Sequence, residues 1–363
     1  MSRLGTRQLA VIAVTVALFG FVFLRGPTPH ISIKPETLFS IGIVNVTNTI
    51  ITSWITVILL VGLVYLGTRR RELVPRGFQN FFEAIIEAFY SLVSGVAGER
   101  NGRRFFPVVA TIFFFILFAN WFSLTPVFNV IGLAQEEVLE ESVAAEEEEK
   151  GSLFSMEKID LGSLPVAYVG FSGVGHLQAD SFEKDKPEEF DDIAQAQQKD
   201  GKFVGELIPV LRGVNTDVNT PLAIAIVSAI AVEFWGISTL GLGTYGGKFF
   251  NLARFGRGLR RFNFGMIAEG AIDAFVGFLE LISELIRLVS FTFRLFGNMF
   301  AGEVVILMFT FLTPLLLTLP VYGLELFVGV IQAFIFAMLT LVFAVMAVSH
   351  QGESSHGEAT AQA

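Results

Sequence analysis

Arg294, Glu303 and Glu325 stand inside apolar stretches long enough to cross a bilayer. Inserting an Arg at mid-membrane costs roughly 2.5–3.5 kcal/mol, so ionisable groups retained there usually mark ion pathways. Arg294 and Glu303 are flanked by Phe291, Phe293, Leu295, Phe296, Phe300, Val304, Val305 and Ile306. A salt bridge within that one segment fails on helical arithmetic. Nine residues at about 100° each turn Glu303 to the opposite face from Arg294, and at 1.5 Å per residue the two sit about 13 Å apart.

A hairpin offers a different geometry. Glu303 and Glu325 are each 11 residues from Pro314. A chain that reverses near that proline brings the two carboxyls face to face, to within about one helical turn. The same reflection sets Arg294 near Phe334, with Gln332 near enough to approach it, and Gln332 shares a helical stripe with Glu325. Two neighbouring carboxyls in a low dielectric cannot both ionise cheaply, so one is expected to keep its proton near neutral pH and to exchange it. Asn298, four residues after Arg294, shares its face and suits a water or the guanidinium. Asn120, and Asp217 with Asn219, either extend a hydrated path or serve as helix-to-helix hydrogen bonds. Glu233 is a weaker candidate for lining water. Glu280, Glu284 and Arg287 read either as path residues or as groups snorkelling to an interface.

Those residues need membrane helices to hold them, and the composition supplies them. The 363 residues are 53% hydrophobic and 16% charged, against about 25% charged in an ordinary soluble domain. The net charge of −9 belongs to one insert: Gln135 to Asp217 holds 20 Asp and Glu against 7 Lys and Arg. With no Cys, the chain has no disulfide framework, thiolate metal site or Cys nucleophile. Its four histidines are scattered, so no metal centre is expected, and no basic aromatic surface suggests nucleic acid.

The expected fold class is an all-α polytopic membrane protein. It has five core helices, one amphipathic interfacial helix besides, and a long tilted C-terminal helical hairpin, with an extra N-terminal hydrophobic segment and an acidic extramembrane insert. Residues 1–26 read as a signal peptide or a retained signal anchor, and the lack of a small-x-small cleavage site favours the anchor. A first membrane part covers 41–132. It includes the run Ile41 to Gly67, ending in Arg69-Arg70-Arg71 on the cytoplasmic side, an amphipathic helix at 74–96 that does not span, and a span from Phe105 to Val130. The acidic extracytoplasmic insert covers 133–216. There Glu146 to Glu149 should be solvated, and Leu164 to Leu177 suits strands of a small external module. The second membrane part, 217–348, carries a span from Pro221 to Leu242 that ends beside Lys248, Arg254, Arg257, Arg260 and Arg261. Its hairpin breaks between Thr313 and Pro320. The polar tail 349–363 is cytoplasmic.

Phe293 to Glu303 reads FRLFGNMFAGE, which resembles the signature of the a subunit of the F-type ATP synthase membrane sector, Fo. Gln332-Ala333-Phe334-Ile335-Phe336 with Leu339-Thr340 is similar to that family's last-helix pattern. Asn120 with Pro126, and Val74-Pro75 with Gln79, Asn80 and Glu83, resemble two further elements. The resemblance covers roughly residues 41–132 and 216–348, leaving the insert and the N-terminal segment outside the familiar core.

The resemblance implies roles for seven ion-translocating residues. Arg294 matches an essential arginine facing a rotating ring of c subunits, and Glu303 an acid in a half-channel. Glu325 matches a position that is acidic or His in relatives. Gln332 matches the glutamine near the arginine, Asn298 the motif asparagine, Asn120 a channel asparagine, and Glu280 an acid of the cytoplasmic half-channel. It implies partners in the c-ring, the b-subunit stator stalk, protons and the lipid bilayer, with no cofactor and no nucleic acid. It also implies a non-catalytic subunit, most simply in a bacterial plasma membrane. The chain has no GxxxxGK[ST] phosphate loop. Two readings compete: a stand-alone transporter, for which no internal repeat speaks, and a scaffold whose charges merely pair. Proton coupling is the default over sodium.

Overall fold

The computed structural model describes residues 34–42, 44–69, 77–125, 128, 131–135, 154–161, 164–168, 202–249, 260, 264–312 and 318–349. The expected N-terminal anchor, the Glu146 to Glu149 run, Pro126, Pro314 and the polar tail after Ser349 lie outside them. So do most of the basic clusters.

Among the described residues, the α-helices and strands run in the order β1 (Thr37–Ile41), β2 (Val44–Thr47), α1 (Asn48–Thr68), α2 (Phe78–Ser123), β3 (Ile131–Gln135), β4 (Phe154–Leu161), β5 (Leu164–Tyr168), β6 (Lys202–Pro209), α3 (Asn219–Leu240), α4 (Leu242–Phe249), α5 (Phe264–Leu312) and α6 (Thr318–Ser349). Among the described residues, α1, α2, α3 and α6 have the length and apolarity to cross a membrane. α5 has 49 residues, about 73 Å at 1.5 Å per residue, so it exceeds a 30 Å hydrocarbon core unless tilted or partly surface-bound. The chain is thus a mostly helical polytopic membrane protein, as the sequence predicts.

Several boundaries differ from expectation. Residues 41–47 begin no span. They complete an antiparallel hairpin pairing Ile41 with Val44 and Thr37 with Thr47, which suits β-branched Val44, Val46 and Thr47. α1 starts only at Asn48, where the Thr47 hydroxyl accepts from the Ile50 N–H at 3.4 Å and Asn48 Oδ1 from the Thr49 N–H at 2.9 Å. The span predicted to reach Val130 stops at Ser123, because the Ser123 and Thr125 hydroxyls turn back to the carbonyls of Asn120 and Phe122. Pro320 does not break the hairpin. It lies in the first turn of α6, where its missing N–H had no helical acceptor to lose.

α2 is two helices. Gly98 adopts φ 76° and ψ 157°, which interrupts the helix between 78–97 and 99–123. Phe89 and Phe113 would stand about 36 Å apart along one straight helix, yet their ring centroids are 4.5 Å apart. The chain therefore folds back on itself. Gly102 makes this possible, since a side-chain carbon there would lie 2.8 Å from the Ser94 Cα. The amphipathic segment packs against the helix that follows it.

The insert forms a closed four-stranded barrel in the order β3-β5-β4-β6, every pair antiparallel. The expected strands at Leu164 to Leu177 are realised as β5, and residues 169–177 lie outside the described chain.

The described residues divide into two compact units. One comprises residues up to Thr56 with Ala119–Asp217 and Asn298–Gly329. The other comprises Val57–Phe118, Val218–Gly297 and the residues from Val330 onward. The second unit holds an apolar core of Phe105, Val109, Val232, Trp235, Ala337, Leu341 and Ala344. The Phe105 and Trp235 rings meet at a tilt, with centroids 4.5 Å apart. The alanines of α6 allow close approach, and the Ser228 and Thr340 hydroxyls, 2.8 Å apart and buried, tie α3 to α6.

Gly241, at φ 81°, closes α3 by donating to the Ile237 carbonyl. The chain then turns so that Tyr245 of α4 lies on Gly236, where an added side-chain carbon would be 2.9 Å from Cζ and nearer still to Cε2. Burial first, and the Glu233 carboxylate second, push the Tyr245 phenol above its ordinary range. Gly236→Ala is expected to destabilise the protein by about 1–3 kcal/mol, the cost of forcing extra carbon into a packed interior. The thermal stability of the detergent-extracted protein reads this directly.

Candidate functional site

In the first unit, polar side chains from α1, α2, the segment before α3, α5 and α6 converge. Asn120, 2% exposed, comes from the last full turn of α2. Its amide donates to the Gly329 carbonyl of α6 at 3.4 Å and accepts from Asn215 Nδ2 at 2.6 Å. Gly329 is what admits it, because a side chain there would meet the Asn120 Cβ at 3.2 Å. Trp121 donates to the Leu326 carbonyl at 3.1 Å. Asn120 is thus a helix-to-helix link and a member of a polar cluster.

Asp217, 5% exposed, accepts from the Thr49 hydroxyl at 3.0 Å and sits before the N-terminus of α3, where an anion is favoured. Thr49, Thr52 and Thr56 form a buried hydroxyl stripe on α1. The Arg212 backbone N–H donates to Thr52 Oγ1 at 3.3 Å. Arg212 also reaches Glu303: its Nε lies 4.0 Å from Oε2, with side chains 7% and 17% exposed. Glu325 comes from α6 and lies directly on Gly302. A carbon added to that glycine would be 2.6 Å from Oε1 and closer to Oε2.

The hairpin register matches the reflection about Pro314 to one residue. Reflection pairs Gly302 with Leu326 and Phe291 with Ala337; the structure pairs Gly302 with Glu325, and Phe291 with Phe336 at a ring separation of 4.9 Å. Asn298 is an exposed residue of α5 within this unit.

In the second unit, Arg294 is half-exposed. Its Nη2 reaches the Ser290 hydroxyl of its own helix at 3.4 Å, and its guanidinium carbon lies 5.8 Å from the Phe291 ring centroid. Among the described residues, no carboxylate lies within salt-bridge range of it. Gln332 is 2% exposed within α6, and the hydroxyl contact of Arg294 is to Ser290 rather than to that amide. Glu280 is half-buried on α5. Arg287 pairs with Glu284 one turn away, with its guanidinium 4.4 Å from the Phe343 ring. Both side chains are half-buried, at 12% and 21% exposure. Among the described residues, no group of three or more His, Asp or Glu is placed to hold a metal ion.

Arg212, Asn215 and Thr49 belong to the cluster although the sequence reading passed over them. Arg212 stands near the end of an acidic insert, where a lone base carries no distinguishing mark. The usable signals were the polar run Arg212 to Asn219 directly before an apolar span, and threonines at helical spacing in α1.

Helices of spanning length that carry acids, amides and guanidinium groups define a multi-pass membrane protein. Residues 50–345 match the family model described as ATP synthase A chain, and the chain belongs to that family. It is similar to "ATP synthase subunit a" of Moorella thermoacetica, 26% identical over 313 residues that cover 86% of this chain and 95% of the relative. It is also similar to "ATP synthase subunit a" of Gloeobacter violaceus, 27% identical over 293 residues, 81% of this chain and 80% of that one. The chain is accordingly a non-catalytic subunit of the ATP synthase in an energy-transducing membrane.

Proposed function

We propose that this chain is the stator subunit that carries protons through two half-channels to and from carboxylates on a c-ring, with the b-subunit stalk holding it against rotation. The observation that carries the reading is Arg294. A guanidinium keeps its charge in any protein environment, and in a bilayer such a group calls for an anion. Its own chain supplies no carboxylate to it among the described residues, which leaves room for one from another subunit.

Asn120, Asn215, Asp217, Glu303 and Glu325, with Asn298 nearby, form the extracytoplasmic half-channel. Glu280 marks the cytoplasmic one, and Gln332 supports the region of Arg294. Arg294 separates the two paths by attracting each deprotonated ring carboxylate and repelling a proton that would pass straight through. Each charge that crosses 100 mV supplies about 2.3 kcal/mol, and successive crossings turn the ring. The protein resides in a bacterial plasma membrane with its C-terminus in the cytoplasm.

ATP-driven acidification of inverted membrane vesicles in sodium-free buffer tests this. Acidification is expected without sodium and is abolished by a protonophore. Glu303→Gln is expected to lower it about fivefold, since loss of a positioned proton carrier slows transfer while water maintains part of the path. A sodium requirement would move the coupling to Na+, and undiminished acidification by the variant would remove Glu303 from the path.

A further inference from the structure

We infer that Arg212 is a positioning residue of the extracytoplasmic path, acting through Glu303; the inference rests on the proposed proton-carrying role of that carboxylate. Arg212 follows the last strand of the barrel and precedes the one-turn 3-10 helix Val214–Thr216. Its side chain is buried to 7% exposure, which for a group of permanent charge demands compensation. Three of its contacts bear on the path. Its Nη1 donates to the Lys34 carbonyl at 3.0 Å, its backbone N–H donates to Thr52 of α1 at 3.3 Å, and its Nε stands 4.0 Å from Glu303 Oε2.

Two of these contacts anchor the arginine to the chain around it, and the third directs it to α5. Arg212 stands within ion-pair range of Glu303, and Glu325 of α6 packs on Gly302, the residue before Glu303 in α5. Arg212 is therefore a counter-charge within ion-pair reach of Glu303, one residue from the glycine on which Glu325 packs. It fixes where the Glu303 carboxylate rests between proton transfers. The end of the insert is thereby part of the ion path, although its charge as a whole is acidic.

The test is ATP-driven acidification by inverted vesicles containing the full complex, with assembly quantified after detergent extraction. Arg212→Gln and Glu303→Gln are each expected to lower acidification about fivefold, and the double variant to fall no further than Glu303→Gln alone, because the two residues act as one unit. Arg212→Lys, which keeps the charge, is expected to restore acidification to within about twofold of the parent. Losses that multiply in the double variant, or a lysine as damaging as the glutamine, overturn the inference while leaving the proton path standing. Unimpaired acidification by Glu303→Gln alone removes both. If Arg212→Gln fails to assemble, assembly regained in the double variant supports the pair, since the unpaired buried carboxylate is then the fault; assembly lost in both overturns it.

Discussion

Arg294→Ala is expected to abolish ATP-driven acidification while leaving the complex assembled. The loss should exceed about a hundredfold, the scale of removing a fixed charge that meets a transient one in a water-poor site. The structural reason is that Arg294 does little for its own fold. Its hydrogen bond is a 3.4 Å contact to Ser290 and its ring contact is to Phe291 at 5.8 Å, both within one helix. Packing of α5 in this region comes instead from Phe291 and Leu295, 5% and 0% exposed. An alanine should therefore keep the helix and lose the charge. The scaffold reading makes the opposite forecast, with assembly failing before transport does. Arg294→Lys separates charge from shape: a compact ammonium lacks the planar fork that meets a carboxylate with two parallel hydrogen bonds, so partial acidification would assign part of the role to geometry. Acidification by an assembled Arg294→Ala complex at parental rate would refute the role assigned to this residue.

The legible parts of the molecule are those in which local chemistry and long-range order agree. The membrane class follows from apolar runs that only a bilayer accommodates. The hairpin register was available from one proline and equal spacing, since two long helices that reverse once have little freedom to slip, and the structure departs by a single residue. Less legible was anything that depends on where a loop returns. Arg212 is 91 residues from Glu303 along the chain, and nothing periodic connects them; only the closing of the barrel's last strand brings the arginine back. The reversal at Gly98 was hidden for another reason. The two segments it joins differ in amphipathicity, but one glycine among 35 carries no mark of its positive φ. The β1–β2 hairpin was masked by its own apolarity, because Ile41 to Thr47 reads as the continuation of the span that follows. Asn120 and the polar run that holds Asn215 are both visible in the sequence, whereas their pairing is not, for a hydrogen bond between distant turns leaves no spacing to read.

Gly302→Val should be nearly as damaging as loss of Arg294, by about fiftyfold, because displacing a reacting group by an ångström can cost up to a hundredfold. The position lies next to Glu303 and directly beneath Glu325, so a single substitution disturbs both acids. A first side-chain carbon would stand 2.6 Å from Glu325 Oε1 and nearer to its other carboxyl atoms. The obstacle is the flexible end of a long side chain, so Gly302→Ala should leave assembly intact and move the carboxyl aside, with acidification falling about tenfold. Valine adds branches that the carboxyl cannot clear, and α5 and α6 must then separate locally. Shortening the obstacle distinguishes a displaced proton carrier from a damaged fold. Glu325→Asp withdraws the carboxyl by one methylene, and Gly302→Ala with Glu325→Asp should recover acidification to within about threefold of the parent, a coupling expected only of residues in contact. If the pair is no better than Gly302→Ala alone, the small residue at 302 serves helix packing rather than the seat of Glu325. In that case the carboxyl's place in the path must be set by other neighbours.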